Sequence, residues 1–133
     1  GDVKNELKRL KLAGIKGIKI HPVFCQVPID DIRYKRIISC ASENDMIVIT
    51  HAGYDVGFPG NDCVEVQRIY NMLQDVNPAK MVLAHMGGWS QWDKVRELIC
   101  TTDVYIDTSF SIVPLRESEY WNAPVISSDI LLR

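Results

Sequence analysis

The chain has 133 residues, 47% of them hydrophobic and 24% charged, and fifteen basic residues against seventeen acidic ones leave a net charge of -2. This length supports one domain with a real core over residues 1–133, and the near-balanced charge offers no basic field to hold a nucleic-acid backbone. No apolar run approaches the roughly 20 residues of a bilayer-spanning helix, so neither nucleic acid nor membrane is an expected partner.

The opening GDVKNELKRLK is charged and helix-like rather than a secretory signal, and a cytoplasmic location is expected. Cys25, Cys40, Cys63 and Cys100 form no CxxC pair. In a chain with this much regular apolar patterning they read as free, buried or half-buried thiols.

The first predicted helix covers residues 2–12, with Val3, Leu7, Leu10 and Leu12 as an approximate apolar stripe and Gly14 as its terminating glycine. A strand follows at Gly17–His21, and Pro22 stops it. After a loop with Pro28, a second helix runs from about Asp31 to Asn44, turning Ile37, Ile38 and Ala41 inward. Met46–His51 is nearly all apolar, as suits a strand covered on both faces. Residues 52–60 form a loop rich in glycine. The third helix starts near Asn61 or Asp62, either of which can serve as N-cap, and runs to about Val76; Asn77-Pro78 breaks it. Then come a strand at Met81–His85, the pair Gly87-Gly88, a helix over about Ser90–Cys100 and a strand at Val104–Thr108. Beyond a loop with Pro114 and Pro124, Ser127-Ser128-Asp129 reads as the start of another helix.

Short β-branched runs alternating with helical stretches predict an α/β fold built on a parallel sheet. About four parallel strands with helical crossovers amount to half of an eight-stranded TIM-type (β/α) barrel, which usually takes about 250 residues. An open doubly wound sheet is the alternative.

Side chains alternate between the faces of a strand. Lys19 and His21 therefore share a face of the first strand. Ile49 and His51 share one on the second, Leu83 and His85 one on the third, and Tyr105 and Asp107 one on the fourth. All three histidines of the chain thus stand at equivalent strand ends, where parallel α/β folds keep their chemistry. Imidazole ligates zinc, iron or manganese when neutral and moves protons near neutral pH. The sequences His51-Ala-Gly and His85-Met-Gly-Gly put glycine where the backbone must turn tightly or approach a ligand; plain βα turns explain each glycine equally well. Tyr54, Phe58, Trp89 and Phe110 lie in the following loops and can shape a pocket or simply pack.

In this order, GIKGIKIHP, ITHAG, LAHMGG and YIDTS resemble the metal-dependent hydrolases of the amidohydrolase superfamily. The closest branch is the amidohydrolase-2 type, which includes decarboxylases of the aminocarboxymuconate semialdehyde type. The resemblance covers nearly the whole chain and implies strands four to seven of a TIM-like barrel. It implies that His51 is a metal ligand, and that His85 binds a second metal or acts on bound water or substrate. His21 and Lys19 become candidate substrate-binding residues, and Asp107 a candidate catalytic residue that binds substrate or orients His85, with a purely structural role as the equal alternative. The implied cofactor is a divalent metal, zinc first, with manganese or iron as alternatives.

Two departures stand out. The family's HxH pair on its first strand does not occur in this chain. The aspartate of its last strand has one candidate, Asp129, whose Ser-Ser-Asp setting fits a helix start better. The expectation is the C-terminal part of a barrel without strands one to three or strand eight. It would act on a small amide, ester or lactone as a hydrolase, or else as a decarboxylase. Unpaired strand edges make a homo-oligomer the expected assembly. A non-catalytic half-barrel serving as an interaction module is the competing reading, with an open α/β binding protein behind it.

Overall fold

The computed structural model describes residues 2–111. The loop with Pro114 and Pro124, the helix start at Ser127-Ser128-Asp129 and Asp129 itself lie outside them.

Helix α1 (Val3–Leu12) begins where the Asp2 carboxylate accepts the Lys4 amide proton at 3.1 Å, satisfying one of the amides that a helix start leaves free. Of its predicted stripe, Leu7 is buried and Val3 and Leu10 pack against the core, but Leu12 is 80% exposed. Strand β1 (Gly17–Ile20) leads into a one-turn helix α2 (Pro22–Cys25). Pro22 therefore ends the strand and also starts a helix. Proline suits the first helical position because its fixed φ is already helical and no amide is wasted there.

Helix α3 (Ile32–Glu43) is bounded as the sequence suggests, with Asp31 as N-cap and Asn44 as C-cap. Its Ile38 and Ala41 are fully buried, and Tyr34 and Cys40 nearly so. Strand β2 spans Ile47–Thr50. Helix α4 (Val66–Val76) starts four to five residues later than Asn61 or Asp62 would have it. The reason is that Asn61 Oδ1 folds back onto the Cys63 amide at 2.9 Å, a local turn that competes with helix. Cys63 and Val64 then run through the core in irregular conformation, their carbonyls accepting the Ile29 and Gly53 amides. The Val66 amide takes its cap from the Gln91 side chain, 25 positions on. Strand β3 (Met81–Leu83), helix α5 (Trp92–Leu98), a 3₁₀ turn (Ile99–Thr101) and strand β4 (Tyr105–Ile106) complete the described residues. Each of these is shorter than its apolar pattern suggests.

The four strands are all parallel and lie in the order β1-β2-β3-β4. Sequential order is that of a (β/α) barrel; a doubly wound sheet reverses direction at a switch point. The sheet is open, as part of such a barrel. Val48, Thr50, Met81 and Leu83 point to one side and are buried with Ile38, Ile69 and Met72 of the helices. Burying a side chain of that size contributes roughly 1.5–3 kcal/mol. The other side is different. Lys19, Ile47, Ile49 and Tyr105 are exposed there, so β2 is covered on one face rather than both among the described residues. No helix among them is long and apolar enough to cross a membrane.

Candidate active site

The three histidines come together just past the C-terminal ends of β1, β2 and β3. The His21 ring stacks on that of His51 with centroids 4.6 Å apart and planes 17° from parallel. The His51 ring meets that of His85 edge-on at 4.9 Å. His51 Nδ1 and His85 Nε2 are 3.1 Å apart, a hydrogen bond.

Strict alternation does not produce this contact. Thr50 pairs with Leu83, so a straight continuation would carry His85 to the helix side with Leu83, away from His51. The chain instead leaves strand geometry: His85 and Met86 both take left-handed backbone, φ 60° and 54°. Such a conformation costs roughly 1–2 kcal/mol for a residue with a Cβ. Asp107 holds it in place. Its Oδ1 accepts the His85 amide at 2.9 Å and its carbonyl accepts the Met86 amide at 2.7 Å. The Ser109 hydroxyl donates to the same Oδ1 at 2.6 Å. Burial pushes the Asp107 carboxyl up, but the Ser109 hydroxyl and the amides of His85 and Ser109 outweigh it, and it lies below the usual carboxylate range. Asp107 thus holds the backbone of His85 and Met86 in this turn.

A second link fixes the loops. Gly53 (φ +83°) forms a parallel bridge with Trp89. The Trp89 amide donates to the Ala52 carbonyl at 2.8 Å, and the Tyr54 amide to the Trp89 carbonyl at 2.9 Å. A Cβ on Gly53 would collide with the backbone of Gly88 and Trp89. Of the two explanations for this glycine, close backbone approach is the one the geometry supports.

Hydrogen-bond direction assigns the tautomers. His85 Nδ1 lies 3.0 Å from the Ser109 carbonyl oxygen, which can only accept. Nδ1 therefore carries the proton, and Nε2 of the neutral ring accepts from His51 Nδ1–H. That leaves His51 Nε2 as a bare lone pair, buried and without a partner. Burial, followed by the neighbouring His85 and His21, pushes His51 down to about 4. Burial also lowers His21, against the pull of Asp55.

Asp55 was not among the residues singled out by sequence. It stands four positions after His51, and that spacing in a glycine-rich loop was the available signal. Its Oδ1 accepts the Gly57 amide at 2.8 Å. Its Oδ2 faces His21 Nε2 at 3.6 Å and His51 Nε2 at 3.7 Å, too far for hydrogen bonds. His21, His51 and Asp55 form the one group among the described residues that could hold a metal ion, with ligand atoms all within 4.8 Å. Orphaned nitrogen beside carboxylate oxygen is a donor set that zinc accepts. His85 stands outside this group, on the other nitrogen of His51.

A cavity of about 170 Å³ opens beside the pair, touched by His51, Asp55 and His85 and walled by Tyr54, Trp89 and Phe110. Phe58 packs on Phe24 instead, with centroids 5.2 Å apart. Lys19 is exposed on the open face of the sheet, and neither it nor His21 lines this cavity.

A family model described as Amidohydrolase matches residues 2–128. No curated protein and no solved structure matches the chain.

Proposed function

The chain belongs to the amidohydrolase superfamily, and from that membership we propose a metal-dependent hydrolase site for a small amide, ester or lactone. The observation that carries this reading is the His51–His85 hydrogen bond at the ends of adjacent strands, 3.1 Å long. His51 presents an unprotonated nitrogen to a divalent ion, zinc first, with manganese or iron as alternatives. When bound, the ion supplies a Lewis acid that polarises a carbonyl and lowers the pKa of water. His85 takes or gives a proton at Nε2 while the Ser109 carbonyl holds Nδ1. Tyr54, Trp89 and Phe110 exclude water from the reacting group and limit it to a small molecule.

One observation favours decarboxylation as a second reading. A carboxylate entering a cavity walled by three aromatic rings loses hydration, and release of CO₂ removes that charge.

The test is a substrate panel of esters, lactones, amides and unsaturated acids, assayed for hydrolysis and for CO₂ with the zinc-supplied chain and with His85→Asn. The substitution is expected to lower turnover by about 100-fold or more, the usual scale of an acid–base group. Equal turnover by both proteins would sink the role of His85. Metal-free protein whose stability is unchanged in His51→Ala would favour the non-catalytic module.

A further inference from the structure

We propose that His21, His51 and Asp55 are a three-ligand divalent-cation site contained within this chain, binding through His21 Nε2, His51 Nε2 and Asp55 Oδ2. The inference rests on the metal-dependent reading above and adds to it the ligand set, two of whose members lie outside the strand-end histidine pair.

The three atoms converge, and no hydrogen bond links the two rings to the carboxylate. His51 Nε2 is bare because its proton is on Nδ1, committed to His85. Asp55 Oδ2 is left over because Oδ1 is taken by the Gly57 amide. The carboxylate side chain is only 13% exposed, and the His51 side chain 12%. An anionic oxygen and a lone pair facing each other out of water repel unless a cation lies between them. The separations fit one: two ligands about 2.1 Å from a tetrahedral ion stand about 3.4 Å apart, against 3.6 and 3.7 Å for the two histidine–Asp55 distances.

The alternative is a protonated His21 that neutralises Asp55 without metal. Geometry works against it, because 3.6 Å is long for a charge-assisted bond. His21 is also held by stacking on His51 and by Phe24 at a centroid distance of 4.3 Å, so its position does not depend on an ion pair.

The experiment is calorimetric titration of the purified metal-free chain with Zn²⁺ near neutral pH, beside Asp55→Asn, His21→Gln and, as a control on the exposed side of α1, Lys8→Gln. Cobalt(II) absorption is recorded on each as a report of ligand number. Zinc is expected to bind at one site per chain. Asp55→Asn and His21→Gln are each expected to weaken it by about 100-fold or more, since even groups that only orient a ligand are worth 10–100-fold. They should also weaken the visible bands of four-coordinate cobalt, while Lys8→Gln leaves both unchanged. Thermal melts of the metal-free proteins establish that the variants are folded. Zinc binding that needs His51 but ignores Asp55 and His21 would overturn the triad and leave the metal-dependent reading standing. Triad-dependent binding with no turnover on any substrate would do the reverse. Absence of zinc binding in the folded wild-type chain overturns the triad outright.

Discussion

His85 Nε2 lies 3.1 Å from His51 Nδ1, although the register of β2 and β3 assigns the two residues to opposite faces of the sheet. The contact exists because two consecutive residues with side chains, His85 and Met86, adopt left-handed backbone. Strain of this kind persists only where the surroundings over-determine it, and here Asp107 supplies the constraint.

Replacing Asp107 should release that turn. Asp107→Ala removes a half-buried acceptor of the His85 amide, the Ser109 amide and the Ser109 hydroxyl. A loss of about 2–3 kcal/mol in unfolding free energy is expected from charge-assisted bonds of this kind. Asp107→Asn, which keeps an acceptor oxygen, should recover part of it. Chemical denaturation measures the loss. Nitrogen chemical shifts of His85 should show Nδ1 losing its fixed protonation in the alanine variant only.

Gly53→Ala is the corresponding test of the loop bridge. The added methyl meets the backbone of Gly88 and Trp89, and the residue must still hold φ +83°. Backbone cannot retreat as a flexible side chain does, so about 2–4 kcal/mol of destabilisation is expected. Gly60 has the same sign of φ (+79°) but open space around it, so Gly60→Ala should cost distinctly less. Thermal melts of the two variants side by side decide the point.

The pH dependence follows from His51. Its folded pKa, about 4, lies below the ordinary value of 6.5. Between those limits the unfolded chain binds the proton more readily, so stability rises with pH. The metal-free protein should be fully stable above pH 6.5 and lose up to about 3 kcal/mol as pH falls to 4, at about 1.4 kcal/mol per unit. His51→Asn should flatten this slope. An unchanged slope in the variant would mean that another group is responsible.

Self-association is the remaining expectation. Ile47, Ile49 and Tyr105 are 39%, 36% and 65% exposed on one side of the sheet, and β1 and β4 each lack an outer neighbour among the described residues. A second copy covering that face would give a dimer by sedimentation at micromolar concentration, and Ile49→Lys should dissociate it. A monomeric wild-type chain under the same conditions contradicts the proposal.

The element order was legible because period-two and period-3.6 apolar patterns are set by burial, and burial by the helix-facing side of the sheet is what the structure has. The bounds of α3 were legible because Asp31 and Asn44 carry their own capping chemistry. The start of α4 was not, because its cap comes from Gln91 on a later loop, beyond the reach of local pattern. The same limit applies to the site. His21, His51 and His85 are marked by position at strand ends. The face of His85 depends on backbone held by Asp107 and Ser109. Asp55 depends on a loop turn that no periodicity announces.

The bridge between Gly53 and Trp89 divides labour within the pocket. It ties the two loops through main-chain atoms alone, so the ring pair sits on a chassis indifferent to which side chains decorate it. Tyr54, Val56 and Phe110 face the cavity but contribute no side-chain bond to that chassis. Those three positions are open to exchange, and a change of substrate could be written there without redrawing the proton path between the histidines.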